Sequence, residues 1–200
     1  RYCRYRGVLR KSEVMRLLRG VANFLVTCCI AASMAANADE SNFDPETGLR
    51  VHHYTQPVPE DVPGGTAVDT AEVRRLIDAG PIVLIDVLSI SGVRYDELDG
   101  SWSDYQPRYN IPGSHWLPNV GYGRPSPDML KYFLDTIADL TNGNQKHPIL
   151  IYCISDCWMG WNAVQHLSRA GYTSVYWSPE GTDGWVEAGY SLELTEPTPV

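Results

Sequence analysis

Excess basic charge is what this sequence most plainly lacks. Its 200 residues hold 16 Lys and Arg against 24 Asp and Glu, a formal charge of −8. A nucleic-acid-binding domain needs a basic surface, so that class is excluded. Cysteine is scarce and odd in number, five in all, far below the density of a disulfide-held scaffold. The longest apolar run, Val21 to Met34, is shorter than the ~20 residues a membrane-spanning helix needs. What is present is 44% hydrophobic residues, enough for a packed core and too many for wholesale disorder. The length suits one domain of ~150 residues with an appendage.

Charge and cysteine are both unevenly spread. Residues 1–38 carry seven basic residues and the single acid Glu13, a net of +6. Residues 39–200 carry a net of −14. Cys3, Cys28 and Cys29 fall in the first part, Cys153 and Cys157 in the second. Met15 is followed by Arg16 and Arg19, the apolar run, the triplet Ala36-Asn37-Ala38 and then Asp39-Glu40. Basic, apolar, Ala-x-Ala is the order of a secretory signal peptide, with cleavage expected after Ala38. A short buried helix and a membrane anchor are the competing readings. Residues 1–14 are expected to be a mis-called extension before a start at Met15. The mature chain is then an exported, periplasmic protein beginning at residue 39, in a compartment where paired cysteines tend to be disulfides.

Residues 39–65, rich in Pro, Gly and acids, read as an extended arm on the domain surface. A short strand is expected near Ala67-Val68. Asp69 with Glu72 predicts a helix start, and Val73, Leu76 and Ile77 follow at helical spacing before Gly80. The run Pro81–Val87 is short and β-branched, as in a strand buried on both faces of a parallel sheet. Residues 88–112 read as one long polar and aromatic loop containing Tyr95, Trp102, Tyr105 and Tyr109. Its aromatics suit either a partner-docking surface or a collapsed loop. Ser126-Pro127 caps a second helix, carrying Met129, Phe133, Ile137 and Leu140 to Asn142-Gly143. A second buried strand runs Pro148–Tyr152, a helix reaches Ala170, a third strand is Val175–Trp177, and a last short helix ends near Gly189. Alternating strands and helices predict an α/β domain over residues 66–193, a parallel sheet with helices on both faces, and a tail at 194–200. Ligands of such sheets bind beyond the carboxyl ends of the strands, where Cys153 stands.

The loop there reads Cys153-Ile154-Ser155-Asp156-Cys157-Trp158-Met159. A cysteine between a strand end and a helix N-terminus faces unpaired N–H groups, which favour a thiolate and would cradle a persulfide. Asp156 opposes that charge. On a regular helix the two cysteine Cβ atoms would lie about 5–6 Å apart, whereas a disulfide wants roughly 3.5–4.5 Å. A bond therefore requires at least Cys153 to lie off the helix. Three readings stay open: redox or sulfur-transfer chemistry, a stabilising disulfide, and a soft-ion site for Cu(I) built from both thiols, Met159 and His166. Asp86, ending an apolar strand, reads as an acceptor for backbone N–H groups. Trp158 and Trp161 could line a substrate slot, but their helical spacing suits packing. His52-His53 reads as solvated.

These residues resemble the rhodanese-like domain family. Asp86 resembles its Asp-Val-Arg, Ile111-Pro112-Gly113 its Ile-Pro-Gly-Ala, and Tyr152-Cys153 its catalytic cysteine. Ala170-Gly171-Tyr172, Gly181–Trp185 and Ala188-Gly189-Tyr190 resemble its C-terminal pattern. Cys153–Trp158, Trp116–Gly121 and Tyr176–Trp185 look most like the rhodanese-related family named for a Cys-x-x-Cys-Trp motif and associated with PQQ-dependent catabolism, although three residues separate the cysteines here. The resemblance implies a rhodanese-like fold, Cys153 as nucleophile with Cys157 resolving, and a loop of Ile154, Ser155, Asp156, Trp158 and Met159 around the substrate. It implies a small sulfur donor, a protein partner in a quinoprotein alcohol dehydrogenase and cytochrome pathway, and no cofactor on this chain, while the signal reading implies no membrane contact after cleavage. Active rhodaneses usually carry Arg and then Ser or Thr where Trp158 and Met159 stand, Arg at Leu88 and His at Asn110. Thiosulfate handling is therefore not implied, and a thiol–disulfide or persulfide relay is. The alternative is a non-catalytic assembly or binding factor with a structural disulfide.

Overall fold

The structure, a computed structural model, describes residues 42–90, 94–96, 101–103 and 105–199. Residues Phe43–Val200 form one compact unit. The expected leader, the expected cleavage after Ala38 and the first arm residues lie outside the described residues, and every described helix and strand belongs to the unit Phe43–Val200. No helix among the described residues is long and apolar enough to cross a membrane.

Five parallel strands form the central sheet. They are β1 (Thr66–Ala67), β2 (Val83–Asp86), β6 (His115–Trp116), β7 (Ile149–Tyr152) and β8 (Val175–Ser178), in the order β1-β8-β7-β2-β6. The register sets Leu84 beside Leu150 and Tyr176, and Ile85 beside Ile151 and Trp177. Since side chains alternate across a strand, these two rows point to opposite faces. The first face packs Leu84, Leu150 and Tyr152 against Val73, Leu76 and Ile77 of α1 (Thr70–Ala79) and Trp185 of α4 (Gly181–Glu187). The second packs Ile85, Ile151 and Trp177 against Phe133 and Ile137 of α2 (Pro127–Thr141) and Val164 and Leu167 of α3 (Trp158–Arg169). Both faces are covered, which is why β2 and β7 read as continuous apolar runs.

The helix starts follow their caps. Asp69 accepts the Glu72 N–H at 2.7 Å, and Ser126 Oγ accepts the Met129 N–H at 3.1 Å. Asn142 ends α2 in the left-handed region at φ 52°.

The structure departs from the sequence reading in three places. The arm is not merely laid on the surface: Leu49, Arg50 and Val62 are buried in it, because Asn162 of α3 reaches out to bond Arg50. The long loop contains an antiparallel pair, β3 (Arg94–Asp96) with β4 (Ser101–Ser103), and then β5 (Arg108–Asn110). The tail is tied down. Strand β9 (Glu193–Thr195) pairs antiparallel with β5, and Thr198 bonds Trp116 through its N–H and Tyr132 through its carbonyl.

Candidate active site: the cysteine loop

Cys153 follows directly on β7, a central strand, and Cys157 caps α3. The two are bonded as a disulfide, with Cα atoms 6.2 Å apart. Both lie off the body of the helix, which brings their Cα atoms into the range a disulfide uses. The chain turns between them at Asp156, whose φ of 55° is left-handed. Both sulfur residues are buried, Cys153 at 2% and Cys157 at 5% exposure.

The loop is anchored from two sides. On one, α4 supplies the contacts. The Cys153 carbonyl accepts the Thr182 N–H at 3.0 Å and the Thr182 hydroxyl at 3.4 Å. Asp183 accepts the Ser155 N–H at 2.9 Å, and Ser155 Oγ donates to the Glu180 carbonyl at 3.0 Å. Gly181 permits this approach: a Cβ there would lie 2.3 Å from the Cys153 carbonyl oxygen, at a φ of +53°. On the other side, the arm closes over the loop. Trp158 N–H donates to the Tyr54 carbonyl at 2.8 Å, Gln56 N–H donates to Asp156 at 2.9 Å, and Thr55 bridges Cys157. The expected cradle of free N–H groups is thus partly filled in this disulfide form, Ser155 by Asp183 and Trp158 by Tyr54.

The aromatic residues are packing elements. Trp158 stacks edge-on with Phe43 and Trp161, with ring centroids 5.3 and 5.1 Å away. The Arg50 guanidinium lies 4.7 Å from the Trp158 ring and bonds the His52 and His53 carbonyls. The Trp158 indole N–H is buried without a partner among the described residues. Met159 is 1% exposed, and its carbonyl lies 2.3 Å from where a Cβ on Gly121 would stand. Trp158 and Met159 are thus buried in this disulfide form, Trp158 beneath Phe43 and Arg50 of the arm and Met159 against Gly121. Ile154 and Ser155 are half-buried, and Asp156 is exposed.

Asp86 is fully buried at the end of β2. It accepts the Leu88 N–H at 2.8 Å, as a structural acceptor should, and Arg108 donates to it at 2.6 Å. Burial raises its pKa from 3.8 to about 6, against the opposing pull of Arg108. Arg108 also donates to the Thr182 hydroxyl at 3.3 Å, so the buried pair connects through Thr182 to the Cys153 carbonyl.

His166 Nε2 lies 2.9 Å from the Tyr122 carbonyl, and burial pushes its pKa down. The imidazole of the Cu(I) reading is engaged there. No cluster of three or more His, Cys, Asp or Glu residues placed to hold a metal occurs among the described residues. The loop aromatics separate: Trp102 packs on Tyr132, Tyr105 packs on Trp116, and Tyr109 is exposed. The Tyr95 side chain lies outside the described residues. His52 and His53 are exposed.

Arg108 and Asn162 were not singled out by the sequence, and Thr182 and Asp183 entered only as part of the Gly181–Trp185 motif, with no role in holding the cysteine loop. Asn162 carried only a weak signal, a polar residue four after Trp158 on a face that continues with Gln165 and His166. Arg108 carried none, since it meets Asp86 only through the fold.

The Rhodanese family profile, described as a rhodanese-like domain, matches residues 69–188. No curated protein matches the chain. Among solved structures, a thiosulfate sulfurtransferase from Pseudomonas aeruginosa is 22% identical, covering 66% of this chain and 21% of its own, with a TM-score of 0.45. A 3-mercaptopyruvate sulfotransferase from Escherichia coli is 19% identical, covering 68% and 52%, with a TM-score of 0.48. A polysulfide-sulfur transferase from Wolinella succinogenes is 17% identical, covering 65% and 79%, with a TM-score of 0.41. The chain spans about a fifth of the length of the first of these.

Proposed function

The chain belongs to the rhodanese-like domain family, and from that premise we propose that it carries sulfur or redox equivalents through Cys153, with Cys157 as the resolving thiol. The observation that carries this reading is the position of Cys153 at the carboxyl end of a central parallel strand, with a second thiol held at bonding distance. With the pair reduced, the Cys153 thiolate attacks the outer sulfur of a persulfide donor. The donor leaves as its thiolate, and Cys153 becomes a persulfide. Cys157 thiolate then attacks the Cys153 sulfur and displaces the outer sulfur as hydrosulfide. The product is the Cys153–Cys157 disulfide, the form present here.

Thiosulfate is a poor donor on this reading. Trp158 and Met159 are buried and apolar where a cation would hold the anion. Arg50, which lies over Trp158, is committed to two carbonyls and two rings. We place the protein in the periplasm on the strength of the signal sequence ending at Ala38. The motif resemblance supports a place in PQQ-dependent alcohol catabolism, with a protein of the quinoprotein dehydrogenase and cytochrome pathway as partner.

Burial of both sulfurs favours a second reading, an assembly or binding factor with a static disulfide. Titration in glutathione buffers separates the two. A working pair opens within the range of glutathione and protein disulfide isomerases, roughly −180 to −260 mV. A pair that stays closed to potentials below about −300 mV is structural and overturns the proposal.

A further inference from the structure

Residues 51–61 cross the disulfide between two anchors, the first buried and the second half-buried. At the first, the Arg50 N–H donates to Asn162 Oδ1 at 2.9 Å, and Asn162 Nδ2 donates to the Arg50 carbonyl at 2.8 Å. At the second, Trp161 Nε1 donates to the Asp61 carbonyl at 3.1 Å, next to buried Val62. Between them the hydrogen bonds to the cysteine loop are all main-chain: Gln56 N–H to Asp156, Trp158 N–H to Tyr54, with Thr55 opposite Cys157 in an antiparallel bridge. The side chains of His52, His53, Thr55 and Gln56 are exposed.

The Asp156 carbonyl and Trp158 N–H belong to neither the central sheet nor the hydrogen-bond ladder of α3. Trp158 is the first residue of that helix, whose leading N–H groups have no partner within it. A donor and an acceptor spaced in this way are both satisfied by an extended antiparallel chain, whatever its side chains. Residues directly opposed in such a bridge have Cβ atoms about 4.5–5.5 Å apart on the same face. A thiol in the place of Thr55 therefore stands on the same face as the Cys157 sulfur, at the outer edge of the roughly 3.5–4.5 Å that a disulfide uses, and a docked chain settles slightly closer than Thr55 to bond it.

We infer that this edge docks an extended segment of a protein dithiol, with Thr55 holding the place of the partner's attacking cysteine and residues 51–61 covering the edge until displaced. The inference rests on the reading that the cysteine pair is a working one, and adds the partner that opens it. The partner's thiolate attacks Cys157 Sγ. The bond to Cys153 breaks, and Cys153 leaves as a thiolate, free to take up sulfur. The partner's second thiolate attacks its own sulfur in the mixed disulfide, and Cys157 leaves as a thiolate and is protonated. The partner is oxidised from dithiol to disulfide, and the pair is reduced by the same two electrons.

Thr55→Cys in the full chain tests the geometry. After equilibration in a glutathione buffer, peptide mapping by mass spectrometry is expected to find molecules in which the introduced thiol is bonded to Cys157 and Cys153 is free. An intact Cys153–Cys157 bond in every molecule overturns the inference. A second measurement covers a variant that misfolds. A synthetic peptide with the sequence of residues 51–61, cysteine replacing Thr55, is offered to the Gln56→Pro protein beside the same peptide N-methylated at Gln56. The unmethylated peptide is expected to form the mixed disulfide about fivefold faster, the worth of one hydrogen bond. Equal rates overturn the docking mode. Failure of the sulfur-transfer reading shows separately, as absence of a persulfide on reduced Cys153, and leaves both readouts in place.

Discussion

Asp86 is the residue whose energetics are most sharply set by the fold. It has no exposed surface, and its pKa stands near 6 against an ordinary 3.8. Because the folded value is the higher one, the folded chain binds more protons than the unfolded chain between these values. Stability from this group therefore falls as pH rises from about 4 to about 6 and is level above, a loss of about 3 kcal/mol. His115 and His166, held low by burial, act with the opposite sign. The useful comparison is thus with Asp86→Asn, in which urea unfolding across pH 4 to 7 is expected to lose this component. Gly181 gives a second residue-scale prediction. With a positive φ and the Cys153 carbonyl where its Cβ would stand, Gly181→Ala is expected to lose about 1–3 kcal/mol by thermal unfolding. Asp86 was legible as a structural acceptor because an acid ending an apolar strand must find donors. Its partner Arg108 was not, because a separation of 22 residues bears no period that joins them.

Among the elements, the arm matters most for access to the sulfurs. Asn162 holds it through the N–H and carbonyl of Arg50 and also bonds the Gly121 carbonyl at 2.9 Å. Asn162→Ala strands these buried groups and is expected to destabilise by about 2–4 kcal/mol. The same variant is expected to be cut faster by trypsin after Arg50, as judged by limited proteolysis of the native protein. The helices were readable from sequence because Asp69 and Ser126 mark their starts locally. Strands β6 and β9 were not, since two or three residues show no alternation, and their pairing comes from partners far along the chain. For the same reason the sequence showed an arm on the surface and a tail without showing what holds either. Their order comes from Asn162, Tyr132 and Trp116, which sequence spacing does not connect to them.

At the scale of the whole molecule, the fold followed from two apolar runs, Val83–Asp86 and Ile149–Tyr152, each too short for a helix and too continuous for a half-exposed strand. They fix a parallel sheet covered on both faces, and so fix Cys153 at its carboxyl edge. The disulfide's neighbourhood was less legible. The sequence suggested an open loop of N–H donors, and the fold closes it between α4 and the arm. Closure keeps the sulfurs from solvent in this form. The central claim is that Cys153 carries sulfur. It is tested most directly by reducing the Cys157→Ser variant, adding a persulfide donor and mapping peptides by mass spectrometry. One added sulfur on the Cys153 peptide is the expected result, and a Cys153 peptide that stays unmodified would contradict it.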